Sequence, residues 1–285
     1  MPGRSWILVA ATALACALIT AGVAQAADAT YPDWRGSWRR FAIPELGGQP
    51  SHDQTKPWGP GQEAPLTAEY QKVHSDSMAD QAQGGQGNFV GHAQCLPAGM
   101  PFMMVGAQPL EFVPTPDTTY VLVGGSDHYR RIYTDGRSWP LDIAPSYSGY
   151  SIGRWTEQDG NGLYHTLEVE TRGPFKGPRA FDATGLPLAF DNQSIFIERI
   201  HLDRSNANVL QDEMTVIDHA LTRPWTVNKR YLRTARPTWT EAYCLEGTAL
   251  VFVGKEEYYV SGDGYLMPTR RDQSPPNLKY FGRRR

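Results

Sequence analysis

Cysteine is scarce in this chain. Three occur in 285 residues, and one of them, Cys16, lies in an apolar leader. So few thiols exclude a zinc ribbon, a haem attachment of the C-x-x-C-H kind and a dense disulfide scaffold. Charge of one sign is lacking too, since 27 Lys and Arg face 30 Asp and Glu for a net charge of −3. A chain so balanced has no general attraction for phosphate backbones or anionic lipid, so nucleic acid is not expected as a partner. After the leader, no apolar run approaches the roughly 18 residues of a membrane helix, and no membrane insertion of the mature chain is expected. No nucleophile elbow, Gly-rich phosphate loop or H-E-x-x-H helix is expected either. His128, His165, His201 and His219 are scattered, and His92 with Cys95 makes a two-ligand spacing that is too sparse for a metal. Neither a metal nor any other cofactor is therefore expected.

The leader itself is informative. Arg4 precedes the run Ile7-Leu8-Val9-Ala10-Ala11, which stays apolar to about Val23 and ends in Ala24-Gln25-Ala26. This is the pattern of a secretory signal peptide over residues 1–26, with a periplasmic or secreted mature chain. The run is short and ends in a cleavage site, which argues against a retained anchor. Ala13-Leu14-Ala15 before Cys16 argues against lipid acylation there. Cys95 and Cys244 then remain as an even pair in an oxidising compartment. A disulfide joining them would close a loop of about 150 residues and contribute about 4–5 kcal/mol in chain-entropy terms. Two buried free thiols are the alternative.

Residues 27–88 read as an N-terminal arm, rich in Pro and Gly, with one short helix. Thr67 is placed as its N-cap and Glu69 in its first turn. Leu66, Tyr70, Val73 and Met78 form a narrow stripe, and Gly84-Gly85 a stop. Residues 89–268 read as strand, turn, strand. The segments are Leu110–Pro114, Thr119–Val123, His128–Tyr133, Tyr150–Trp155, Leu163–Thr171, Ile195–Asp203, Leu210–Asp218, Thr226–Arg233, Thr240–Cys244 and Ala249–Val253. Turn chemistry such as Asp135-Gly136 and Asp203-Arg204-Ser205-Asn206 separates them. The expected fold is all-β, an antiparallel meander closing into a barrel, with a sandwich as the alternative. Residues 269–285 read as a disordered basic tail.

Trp34-Arg35-Gly36-Ser37-Trp38 resembles the Gly-x-Trp signature that opens lipocalin-type (calycin) barrels. The resemblance implies a Trp closing one barrel end, although the helical arm departs from that family. Cys95-Leu96-Pro97-Ala98-Gly99-Met100-Pro101, Arg131 to Arg137, Ser151 to Trp155 and Leu221 to Trp225 resemble a family of uncharacterised exported bacterial β-rich proteins. That second resemblance spans most of the mature chain. It implies a shared fold and export, and supplies no activity.

Strand alternation predicts which ionisable groups point inward. Glu198 shares a face with Phe196, Ile200 and Leu202. His165 shares one with Leu163, Leu167 and Val169, and Asp212 shares one with Leu210, Met214 and Val216. A buried carboxylate must pair, protonate or be hydrated. Three inward groups therefore predict a polar-lined pocket in which Glu198 and His165 act as acid and base, with Asp212 orienting His165. Internal ion pairing of Glu198 with an Arg is the bland alternative. Arg130 and Arg131 face opposite ways, so one of them lines the interior, and Arg130 is the candidate to hold an anionic group. Tyr150, Trp155 and Met214 are further candidate binding residues, suited to a small apolar or aromatic molecule. The preferred reading is a cofactor-independent lyase, isomerase or hydratase. The alternatives are a lipocalin-like carrier or sensor of a hydrophobic ligand, and an envelope interaction module that uses the arm.

Overall fold

The computed structural model describes residues 31–40, 63–83, 87–88, 97, 99–106, 108–124, 128–157, 160, 162–177, 179–182, 184–234, 239, 250–260 and 265–276. Residues 1–26, expected as a signal peptide, Cys95, Cys244, the segment 240–244 and residues 277–285 lie outside the described residues.

Nine strands close into a barrel. They are β1 (Ser37–Arg40), β2 (Leu110–Pro114), β3 (Thr118–Val123), β4 (His128–Tyr133), β5 (Tyr150–Glu157), β6 (Tyr164–Arg172), β7 (Ile195–Leu202), β8 (Val209–Ile217) and β9 (Trp225–Thr234). β1 closes the ring by pairing with both β2 and β9. An odd number of strands cannot alternate direction all round a ring, so one neighbouring pair must run parallel. That pair is β4 and β5, and residues 134–149 make the crossover it requires. The eight strands β2 to β9 lie where the β-branched and aromatic runs predict. The closing strand comes from residues expected in the arm, because four residues carry too little periodicity to read as a strand.

Both barrel ends are plugged. At one end Trp34 packs on Phe112 and Trp155, with ring centroids 5.1 and 4.7 Å apart, and Tyr31 packs on Trp155 at 5.2 Å. Trp38 is fully buried beside them. Its Nε1 donates to the Trp34 carbonyl at 2.9 Å, and the Arg233 guanidinium lies 4.5 Å from its ring centroid. The other end is covered by residues 174–177, 179–182 and 184–194, which bury Phe175, Phe181, Leu186 and Leu188. Asp218 pins this cover by accepting from the Ala189 N–H at 2.9 Å and the Ser194 hydroxyl at 2.5 Å.

Helix α1 (Ala68–Ala82) starts as its cap predicts, with the Thr67 side chain accepting from the Tyr70 N–H. Its apolar stripe is not its docking face, since Val73 and Met78 are exposed while Ser77 is buried. Polar contacts dock the helix instead: Gln81 donates to the Thr184 carbonyl at 2.9 Å, and Ser77 accepts from the Asn88 N–H at 2.9 Å. A short helix α2 (Phe102–Val105) buries Met103, Met104 and Val105. No described helix is long and apolar enough to cross a membrane. Residues 250–253, expected as a barrel strand, instead form β10 (Leu250–Val253). It makes a separate antiparallel sheet with β11 (Glu256–Val260) and β12 (Leu266–Pro268). Residues at the start of the expected tail bond to this sheet, with Thr269 and Gln273 both donating to the Glu257 carbonyl.

Candidate functional site

The inward faces of β4 to β9 bring charge into the barrel. On β7 the buried positions are Phe196, Glu198 and Ile200, and on β8 they include Leu210, Asp212, Met214 and Val216. Arg130 on β4 reaches across to Glu198, with the two side chains 1% and 0% exposed. The contact is bidentate: Nη1 donates to Oε1 at 2.8 Å, and Nη2 donates to Oε2. Nη2 also donates to the Thr171 hydroxyl at 2.6 Å, and Nε donates to Ser151 at 3.2 Å. Ser151 and Thr171 are themselves 2.8 Å apart. A buried ion pair holds together only when its remaining donors are satisfied, and the two hydroxyls meet that need. Arg130 is thus committed to a carboxylate of its own chain.

Asp212 is different. Its side chain is fully buried, and neither carboxyl oxygen is hydrogen-bonded by any described residue. Burial pushes its carboxyl well above the usual carboxylate range, and the negative Glu198 pushes the same way. Arg130 and Lys229 oppose them. The result is a carboxylic acid that favours its neutral form and can donate as well as accept a hydrogen bond. Lys229, also fully buried, stands directly opposite Asp212 on β9, and its Nζ is 5.4 Å from the Phe181 ring centroid. Tyr231, the next inward residue of β9, donates to the Met104 carbonyl at 2.6 Å. Burial first, and then its acidic neighbours Asp212 and Glu198, hold its phenol proton on.

The remaining candidates are dispersed. Glu198 faces Val169 on β6, and His165 lies four residues earlier on that strand, which puts it about 13 Å away along the barrel. His165 is half-buried, with its Nε2 shielded from solvent. Met214 packs between Glu198 and Val227 on the neighbouring strands. Trp155 belongs to the plug at one end and donates to the Thr119 hydroxyl at 3.0 Å. Tyr150 lies on the outer face, its ring 5.0 Å from Tyr133 and 5.9 Å from Trp139.

The G-x-S-x-G spacing does occur, at Gly149-Tyr150-Ser151-Ile152-Gly153. Ser151 there is an inward residue of β5, buried and bonded to Arg130 and Thr171. It does not sit on an exposed strand-to-helix turn, so the spacing makes no nucleophile elbow. Among the described residues, no three His, Cys, Asp or Glu side chains converge as a metal would require; His92 and Cys95 lie outside them.

Lys229, Tyr231, Ser151 and Thr171 join this centre without being expected from the sequence as site residues. The signal was present for two of them, because Trp225, Val227, Lys229 and Tyr231 alternate along one strand. Family models and curated proteins were compared with the chain, and neither comparison gave a match.

Proposed function

We propose that the protein is an exported barrel that binds a small, largely apolar molecule, with one polar group of the ligand held at the interior centre around Asp212. The observation that carries this reading is the Asp212 carboxyl, wholly buried, driven toward its neutral form and unbonded by any described residue. Leaving such a group unsatisfied costs about 1–3 kcal/mol, and a ligand carbonyl, hydroxyl or amide would offset that cost. The surrounding Phe196, Met214 and Phe181 suit an apolar body. Export to the periplasm or beyond is part of the same proposal, and rests on the pattern of residues 1–26.

Carriage or sensing is better supported than turnover. Glu198 is spent on Arg130, and His165 is out of proton-transfer reach of it. A catalytic version, a lyase, isomerase or hydratase, keeps one support, because the proton retained by Asp212 can be given to a substrate. Native mass spectrometry of protein exported by its own host tests the reading, with wild type set beside Asp212→Leu. The wild type is expected to carry a small molecule that the variant, with an unchanged circular dichroism spectrum, has lost. Equal occupancy of both, or of neither, contradicts the proposal. Turnover that disappears in Asp212→Asn while binding persists selects the catalytic version.

A further inference from the structure

We propose that the seam between β4 and β5 is the portal through which the interior molecule enters and leaves, an inference that rests on the binding centre around Asp212. Opening either end of the barrel would bare a large apolar surface. Lifting the cover exposes Phe175, Phe181, Leu186 and Leu188, and drawing the plug exposes Trp34, Trp38 and Phe112, all of them buried. The wall is held more lightly. β4 and β5 pair at two positions, Ile132 with Ser151 and Tyr133 with Ile152, whereas β3 and β4 pair at six and β5 and β6 at eight. β1 and β2 also pair at two positions, but α2 backs that join: Arg40 of β1 donates to the Val105 carbonyl, and Tyr231 of β9 donates to the Met104 carbonyl.

A cavity of about 260 Å³ lies at this seam, and its lining comes from both faces of the wall. Tyr129, Arg131 and Tyr150 belong to the outer face, whereas Arg130 and Ser151 belong to the inner one and are each 1% exposed. The cavity therefore reaches two residues of the interior centre, and the wall behind it is shut. Two side-chain ties cross the seam besides the ladder. Arg130 Nε donates to the Ser151 hydroxyl at 3.2 Å, and the Tyr133 ring centroid lies 5.0 Å from that of Tyr150. Parting the strands here breaks these ties and two ladder positions, and of the apolar core residues in those pairs it uncovers Ile132 alone. Arg130 also marks the way inward. Its guanidinium reaches Glu198 on β7, and the charges of both act on the Asp212 carboxyl on β8. A molecule that passes the seam thus arrives along Arg130 at the group proposed to hold it.

Kinetics tell a portal from a binding site. Obstructing a portal slows entry and exit by one factor and leaves affinity where it was, whereas a change in the site alters affinity. The probe is 2-naphthol, an apolar ring pair with one hydroxyl, and stopped-flow fluorescence reads both rates. Ser148 lines the seam cavity. Ser148→Trp fills that cavity, so association and release should both slow by at least about fivefold, with Kd held within about twofold. Tyr133→Ala removes the ring tie and should quicken both rates. Gln81→Ala frees the cover from its bond to α1 and should change neither. Asp212→Leu should weaken 2-naphthol by at least about tenfold. No saturable binding, or binding that Asp212→Leu does not weaken, overturns the interior centre and the portal together. Asp212-dependent binding overturns the portal alone if Ser148→Trp leaves both rates unmoved or shifts Kd in their place, or if Gln81→Ala quickens both rates and Tyr133→Ala does not.

Discussion

Glu198→Gln removes the negative charge facing Arg130 while keeping nearly the same side-chain volume. Both partners are shielded from water, at 1% and 0% exposure, so solvent cannot replace what is lost. The guanidinium keeps Ser151 and Thr171, and one of its two Glu198 contacts survives as a bond to a neutral amide. What remains is a buried cation without a counter-charge, a state that costs about 3–5 kcal/mol. For a chain of this size about 2–4 °C of melting temperature accompanies each kcal/mol, so a fall of roughly 6–20 °C is expected. Arg130→Met should cost less at low pH than at neutral pH, because the stranded Glu198 can take up a proton. The double change Arg130→Met with Glu198→Leu should return to within about 2 kcal/mol of wild type, since apolar side chains of similar volume replace a buried pair at little cost. Urea unfolding at pH 7 of wild type, Arg130→Met, Glu198→Leu and the double variant, with Glu198→Gln beside them and tryptophan fluorescence as the readout, gives the cycle. A loss below about 1 kcal/mol in Glu198→Gln, or single effects that add within about 0.5 kcal/mol in the double variant, would refute the reasoning.

Other expectations follow from individual contacts. Asp212 has a folded value raised above its ordinary 3.8, so above that pH the folded chain holds a proton that the unfolded chain has released. Stability therefore falls as pH rises through this interval, and Asp212→Asn should flatten that limb of a urea-midpoint profile; parallel profiles between about pH 4 and 8 would contradict the sign. Gly153→Ala would set a Cβ 2.6 Å from the Ile132 Cγ2 and 3.1 Å from the Glu168 carbonyl. It should cost about 1–3 kcal/mol in the same unfolding assay. Trp38→Ala removes the bond to Trp34 and the stack under Arg233, and a loss of about 3–5 kcal/mol is expected by thermal denaturation. His165→Ala should leave ligand occupancy by native mass spectrometry unchanged, since the imidazole is not at the Asp212 centre.

Much of the barrel was legible because alternation is a local property. The inward assignment of Glu198 and Asp212, and the opposition of Arg130 to Arg131, each needed only the phase of one strand. Which inward groups meet is a different question, set by register and by reach across the barrel. Glu198 finds Arg130 at a separation of 68 residues, and no periodicity reports such a contact. His165 carries the inward phase, yet the pairing of Glu198 with Val169 sets it two inward positions away. β1 was hidden by its brevity, and the parallel β4–β5 pair by the fact that it follows from ring closure and not from any residue in it. Lys229 was readable from its alternating neighbours, but a lysine in a strand is more often a surface charge.

The central claim is that the Asp212 carboxyl waits for a ligand inside the barrel. A crystal structure of the protein purified from its own host tests this most directly. The account predicts density for a small molecule with a polar atom within hydrogen-bond distance of the Asp212 carboxyl. A packed interior in which both Asp212 oxygens are bonded to groups of the chain itself, with no molecule beside them, would contradict it.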